Sequence, residues 1–171
     1  MKRTTALHLW TLFNEREAKM LTTPAHPVDL NGLADSATQQ LIDNMLATMR
    51  RAEGIGLAAP QIGQSLQLAV IAPEVDAALA EPLIVVNPKL VHLSAETMTG
   101  EEGCLSIPRV FGLVVRATQV TARFFDRHGR LTTLTAGDLL ARVIQHEVDH
   151  LNGRLFIDRI TSYTRGQELL P

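Results

Sequence analysis

The segment Gln145-His146-Glu147-Val148-Asp149-His150 constrains this chain more tightly than any other stretch. Residues four apart lie on one face of a helix. His146 and His150 can therefore close on one metal ion, with Glu147 beside them as a proton-transfer group. The stretch must be helical for this to work, and its flanks agree. Leu139, Leu140, Val143, Ile144, Val148 and Leu151 form an apolar stripe at helical spacing, and Asn152-Gly153 supplies a stop. The bland alternative is a pair of surface histidines on an ordinary helix; the adjoining apolar stripe favours a sheltered site.

A catalytic zinc-type site commonly takes three protein ligands and keeps one position open. Few acids remain downstream of the two histidines, chiefly Asp158 and Glu168. Phe156 stands where the longer metalloprotease pattern has its third histidine. Cys104 is the best remaining ligand. It is the only cysteine, and it sits in Gly100 to Pro108, which reads as a glycine-bounded turn. A lone cysteine is otherwise a small core residue. A thiolate with two imidazoles retains a divalent ion and accommodates iron as well as zinc.

The rest of the composition narrows the class. A single cysteine leaves no internal disulfide framework and suits a reducing compartment, so a cytoplasmic protein is the default. With 171 residues, 46% of them hydrophobic, the chain supports one domain over 1–171. A net charge of -2, with acids and bases mixed, offers neither a nucleic-acid footprint nor a polybasic membrane patch. No apolar run approaches the roughly 18–20 residues of a membrane span. Met1-Lys2-Arg3 starts basic, but the short apolar part and the acids at Glu15 and Glu17 match neither a secretory signal nor a transit peptide.

Taken in order, residues 1–35 are broken by Pro24, Pro27 and Gly32 and read as irregular. Ser36-Ala37-Thr38-Gln39 fits a capping box opening a helix. Leu41, Ile42, Met45, Leu46 and Met49 give that helix a core-packing face, and Gly54 ends it. Gly54 to Gly63 is too apolar for a solvated loop; its glycines allow close backbone approach, and Gln61 is its one polar side chain. Leu66–Ile71, Leu83–Asn87, Val110–Arg116 and Gln119–Asp126 read as strands, with Lys89–Leu93 extending the second. Arg130–Leu134 returns as a hairpin partner after the Arg127-His128-Gly129 turn, Thr135 to Asp138 reads as a helix start, and Leu155-Phe156-Ile157 as a last strand.

Three separated stretches together resemble the peptide deformylase family: Gly54-Ile55-Gly56-Leu57-Ala58-Ala59-Pro60-Gln61, Glu102-Gly103-Cys104-Leu105-Ser106 and Gln145-His146-Glu147-Val148-Asp149-His150. The similarity covers about residues 36 to 157. It implies an α+β fold, with mixed, mostly antiparallel sheets packed around a central metal-binding helix. It implies removal of the N-formyl group from the methionine of new polypeptides, with release of formate. Carried over, Cys104, His146 and His150 would hold one divalent metal, Fe2+ in the cell and Zn2+ in some isolated samples. Glu147 would take a proton from the attacking water and pass it to the leaving amine. The Gln61 side chain and the Leu105 backbone N–H would form an oxyanion hole. A substrate peptide would pair with the backbone around Ile55-Gly56 and Gly103. Ile55 and Val143 would line the methionine pocket, with the Arg142 stem at its rim or, alternatively, Arg142 as a solvated helix charge.

The chain departs from the family in three places. Asn14 to Val28 matches poorly apart from Ala25-His26-Pro27-Val28. Gly137-Asp138 inverts the usual acid-then-glycine order, and residues 159–171 are too few for a long C-terminal ribosome-docking helix. The implied partners are N-formylmethionyl nascent peptides with at most weak ribosome proximity, and neither nucleic acid nor membrane. The rival readings are a His-Glu-x-x-His metalloprotease, which usually lacks a cysteine ligand, and a structural zinc module or inactive peptide-binding relative. A closed structural site would need a fourth ligand.

Overall fold

A computed structural model describes residues 4–171. Among these described residues, three α-helices (α1, Glu15–Leu21; α2, Ser36–Arg51; α3, Asp138–Leu151) accompany eight strands. The strands are β1 (Gly56–Ala58), β2 (Leu68–Ile71), β3 (Leu83–Leu93), β4 (Thr97–Cys104), β5 (Ile107–Ala117), β6 (Gln119–Phe125), β7 (Leu131–Gly137) and β8 (Ile160–Arg165). They form a five-stranded sheet in the order β1-β2-β3-β6-β7 and a three-stranded sheet in the order β4-β5-β8. Every strand pair is antiparallel. The isolated bridge between His26 and Leu66 is parallel.

The period-two alternation of strands explains how the larger sheet is covered. Leu68 and Val70 of β2, with Ile84 and Val86 of β3, join Ile42, Met45, Leu46 and Met49 of α2 in one apolar cluster. Ile71, next to Val70, and Val85, between Ile84 and Val86, turn to the opposite face and join Leu140, Ala141, Val143 and Ile144 of α3. α2 and α3 thus cover opposite faces of one sheet. Each fully buried side chain of this size contributes roughly 1.5–3 kcal/mol relative to exposure. The smaller sheet has its own core, where Ile107, Val110 and Val114 meet Leu21, Leu155 and Phe156. α3 contacts β1, β2, β6 and β7 on one side and β5 on the other.

Several local expectations change. The N-cap of α2 is Asp35, which makes no side-chain cap bond. Thr38 and Gln39 instead reach back to the carbonyls of Gly32 and Leu33, and Gln39 also reaches that of Arg127, so longer-range acceptors replace the capping box. Gly100 to Cys104 is not a turn but part of β4, paired along β5; the turn is Leu105-Ser106. Leu155-Phe156-Ile157 does not form a strand. Asp158 accepts from the Leu155 N–H and closes a 3-10 turn over Phe156–Asp158, and the last strand is β8. The segment read as irregular, 1–35, lies outside the described residues at 1–3, and its described part holds α1, capped by the Asn14 side chain on Glu17 N–H. Thr135 to Gly137 end β7, and α3 starts at Asp138. There the inverted pair has a backbone consequence: Asp138 has φ +48, while Gly137 is extended at φ -117 and ψ 178.

Candidate metal and catalytic site

Two elements from distant parts of the chain build the site. Cys104 ends β4, just before the Leu105-Ser106 turn. His146 and His150 lie one turn apart on α3. Cys104 Sγ is 3.2 Å from His150 Nε2, which is 3.2 Å from His146 Nε2. All three donor atoms lie within 4.8 Å of one another. His146 Nδ1 lies 3.0 Å from the Glu102 carboxylate, so its Nε2 is the nitrogen turned to the cluster. His150 is buried, and its Nδ1 has no hydrogen-bond partner.

The donor chemistry fits a divalent metal. Burial pushes the Cys104 thiol up, but His150 and His146 outweigh it and bring it down to about 5. Burial pushes His146 down, but Cys104 and Glu102 outweigh it and raise it to about 10. Both shifts favour the thiolate, the form in which a cysteine binds a metal. One thiolate and two imidazoles leave room for an open coordination position.

Glu147, 5% exposed, is the buried carboxylate beside this cluster. Burial pushes its carboxyl up against the pull of His146 and His150, and its Oε2 has no hydrogen-bond partner. A β-carbon at Gly56 would stand 2.2 Å from Glu147 Oε1. Glycine is required there because the carboxylate lies directly against the β1 backbone. Gln61, in a 3-10 turn over Ala59–Ile62, is buried and fully oriented. Its Oε1 accepts from Ala58 N–H at 2.8 Å, and its Nε2 donates to Ser106 Oγ at 3.2 Å and Cys104 Sγ at 3.4 Å.

A cavity of about 650 Å³ opens onto these groups. Ile55, Gly56, Gly103, Leu105 and Val143 all line it, together with Arg142. β1 and β4 are the edge strands of their sheets, and both border the cavity. The guanidinium of Arg142 is not solvated: it donates to Glu102 Oε1 at 2.8 Å, the Val114 carbonyl at 3.0 Å and the Met98 carbonyl at 2.7 Å. Gly100 makes this possible, since a β-carbon there would stand 2.9 Å from the Arg142 guanidinium carbon.

Sequence reasoning missed the charged layer behind the Cys104–His146–His150 cluster. Glu102 takes two hydrogen bonds from Arg116, at 3.0 and 2.9 Å, besides those of Arg142 and His146. Arg116 continues to Asp149, and Asp149 to Arg159 at 2.6 and 2.7 Å. Burial pushes the Glu102 carboxyl up, but His146 and Arg116 hold it well below the usual range. Arg159 and Arg116 do the same for Asp149 against its burial. Glu102 and Asp149 lie inside the quoted motifs, which is a signal of position though not of role. Nothing in the pattern marks Arg116, whose partners lie 14 and 33 residues away.

Similarity to known proteins adds an independent line. The family model for polypeptide deformylase matches residues 13–166, and so takes in α1. Peptide deformylase 1 of Nostoc sp. is 51% identical over 136 residues, which is 79% of this chain and 73% of the relative. Peptide deformylase of Chloroflexus aurantiacus is 45% identical over 156 residues, 84% of this chain and 81% of the relative. Among solved structures, the Met-Ala-Ser-bound class I type b peptide deformylase from Acinetobacter baumannii superposes with a TM-score of 0.84 at 35% identity, covering 92% of this chain and 100% of that one.

Proposed function

The chain belongs to the polypeptide deformylase family, hydrolases that remove the N-formyl group from formyl-methionyl peptides, and we propose the roles of its residues in that reaction. Cys104, His146 and His150 hold one divalent ion, Fe2+ in the cell, with Zn2+ an alternative occupant. The observation that carries this reading is the convergence of these three donors beside a buried, unpartnered Glu147 carboxylate. The ion supplies Lewis-acid polarisation of the formyl oxygen and a more acidic water.

The remaining work falls to the protein's own side chains. Glu147 accepts the proton of the attacking water as its oxygen bonds to the formyl carbon. It then delivers that proton to the peptide nitrogen as the C–N bond breaks, leaving formate and a free methionyl amine. Gln61 Nε2 and the Leu105 N–H donate to the oxygen that gains charge. The substrate lies between the edges of β1 and β4, pairing near Ile55-Gly56 and Gly103. The methionine side chain enters the cavity along Val143 and the stem of Arg142. The Acinetobacter baumannii relative, solved with Met-Ala-Ser, supports a short methionyl peptide as the ligand class.

We take residues 1–171 as a single catalytic domain, acting in the cytoplasm on nascent chains with at most weak ribosome proximity and without nucleic-acid or membrane partners. Acids and bases mixed along the chain at a net charge of -2 support the reading without a nucleic-acid partner; no helix among the described residues is long and apolar enough to cross a membrane.

The test is formate release from formyl-Met-Ala-Ser by anaerobically prepared, Fe2+-loaded protein. Wild type should release formate, and Glu147→Gln should be slower by about 10²–10⁴ while retaining metal. Absence of release from folded, metal-loaded wild type would sink the assignment. Cleavage of unformylated peptides would then indicate the protease alternative.

A further inference from the structure

We propose that residues 7–12, upstream of the matched family region, form a positioning strap for the oxyanion donors, with Trp10 at its centre. The inference rests on the roles given to Gln61 and Leu105 above. Trp10 N–H donates to the Gln61 carbonyl at 2.8 Å, and Leu12 N–H to the Ser106 carbonyl at 3.0 Å. Those acceptors belong to different parts of the fold. Gln61 follows β1 of the larger sheet, and Ser106 joins β4 to β5 of the smaller one. The same two residues also meet through their side chains, Gln61 Nε2 to Ser106 Oγ. The strap therefore ties from outside the pair that the carboxamide ties from within. The peptide N–H of Leu105, directly before Ser106, moves with that turn.

The strap is itself held in place. The Trp10 ring lies against Gly63, where a β-carbon would stand 2.5 Å from a ring carbon. Gly63 also has φ +76, so both backbone and space require glycine. Leu7 and Leu9 pack on the α2 cluster, and Leu12 on the core of the smaller sheet, so six residues span two cores. Leu7 N–H donates to Thr48 Oγ1 at 2.8 Å, and Thr11 N–H to the Glu17 carboxylate at 2.6 Å. The latter is a charge-assisted bond. Leu9 reaches the cavity wall, so the strap also abuts the site.

A strap that merely stabilises the fold would lower the melting temperature and leave the folded enzyme's turnover intact. A positioning strap acts on kcat, because the oxyanion donors matter most in the transition state. In the Fe2+-loaded full chain acting on formyl-Met-Ala-Ser, Trp10→Ala should lower kcat about tenfold, and Trp10→Phe should recover most of it. KM and metal content should stay within about twofold of wild type. Unchanged kcat with a lower melting temperature would overturn the inference, and so would a raised KM with unchanged kcat. Should Trp10→Ala fail to fold, Glu17→Ala decides: it cuts only the Thr11 anchor and His8 contact, and an unaltered kcat there overturns the strap. Failure of wild type to release formate would instead remove the deformylase reading on which the inference stands.

Discussion

α3 faces two surfaces of opposite character. Towards the five-stranded sheet it presents Leu140, Ala141 and Ile144 to Ile71, Val85, Val120, Ala122 and Phe124. Towards the smaller sheet it presents Arg142, His146 and Asp149 to Glu102 and Arg116. The first seam is non-directional, so it fixes where the helix lies and tolerates small changes of shape. The second is directional: Glu102 meets three different side chains, and each must point correctly. Buried ion pairs of this kind add little net stability against an apolar replacement, yet removing one partner is costly. The difference teaches a division of labour, in which bulk apolar contact holds the helix and paired charge aims the His146 ring.

Three substitutions probe that division. The largest effect belongs to Glu102→Gln, which leaves Arg142 without its carboxylate and weakens the hold on Arg116 and His146. It should destabilise the protein by about 3–5 kcal/mol. It should also weaken metal binding by roughly 10–100-fold, read by urea unfolding and chelator competition. Ile144→Ala, in the apolar seam, should remove about 3 kcal/mol of stability through a cavity. Chelator competition should find metal affinity unaltered in that variant; a loss as large as that of Glu102→Gln would abolish the distinction between the seams. The smallest effect is expected at Asp138→Gly, outside both seams. Releasing the positive φ there should stabilise by at most about 1 kcal/mol, seen as a higher melting temperature with formate release unchanged.

What could be read from the residues follows the same boundary. His146, Glu147 and His150 are legible because helical spacing is local, and Gly56 because a close-approach glycine is rare inside an apolar stretch. The apolar faces of α2 and α3 are legible for the same reason of periodicity. The ionic seam is not: Arg142 looks like any helix charge until Gly100, 42 positions earlier, is seen beneath its guanidinium. β4 escapes because Thr97-Met98-Thr99-Gly100-Glu101-Glu102-Gly103 lacks alternation, and what makes it a strand is β5 alongside. Leu155-Phe156-Ile157 misleads because three apolar residues cannot distinguish a strand from a buried turn; the Asp158 carboxylate closing on Leu155 decides it. The bonds of Leu7, Trp10 and Leu12 to Thr48, Gln61 and Ser106 reach segments far along the chain, for which no local pattern exists.

The Cys104–His150 contact has a bearing on how the protein comes into being. It spans 46 residues and joins the end of a hairpin strand to the last turn of a helix. Contacts so far apart in sequence form only after long loops have closed. An ion that needs all three donors would bind the folded chain far better than the unfolded one, and its capture would stabilise the closed fold. On a ribosome, β4 emerges before α3, and its thiol must wait for His150, 46 residues further on. A protein that trims the beginnings of other new chains thus cannot close this cluster until α3 has followed β4 out.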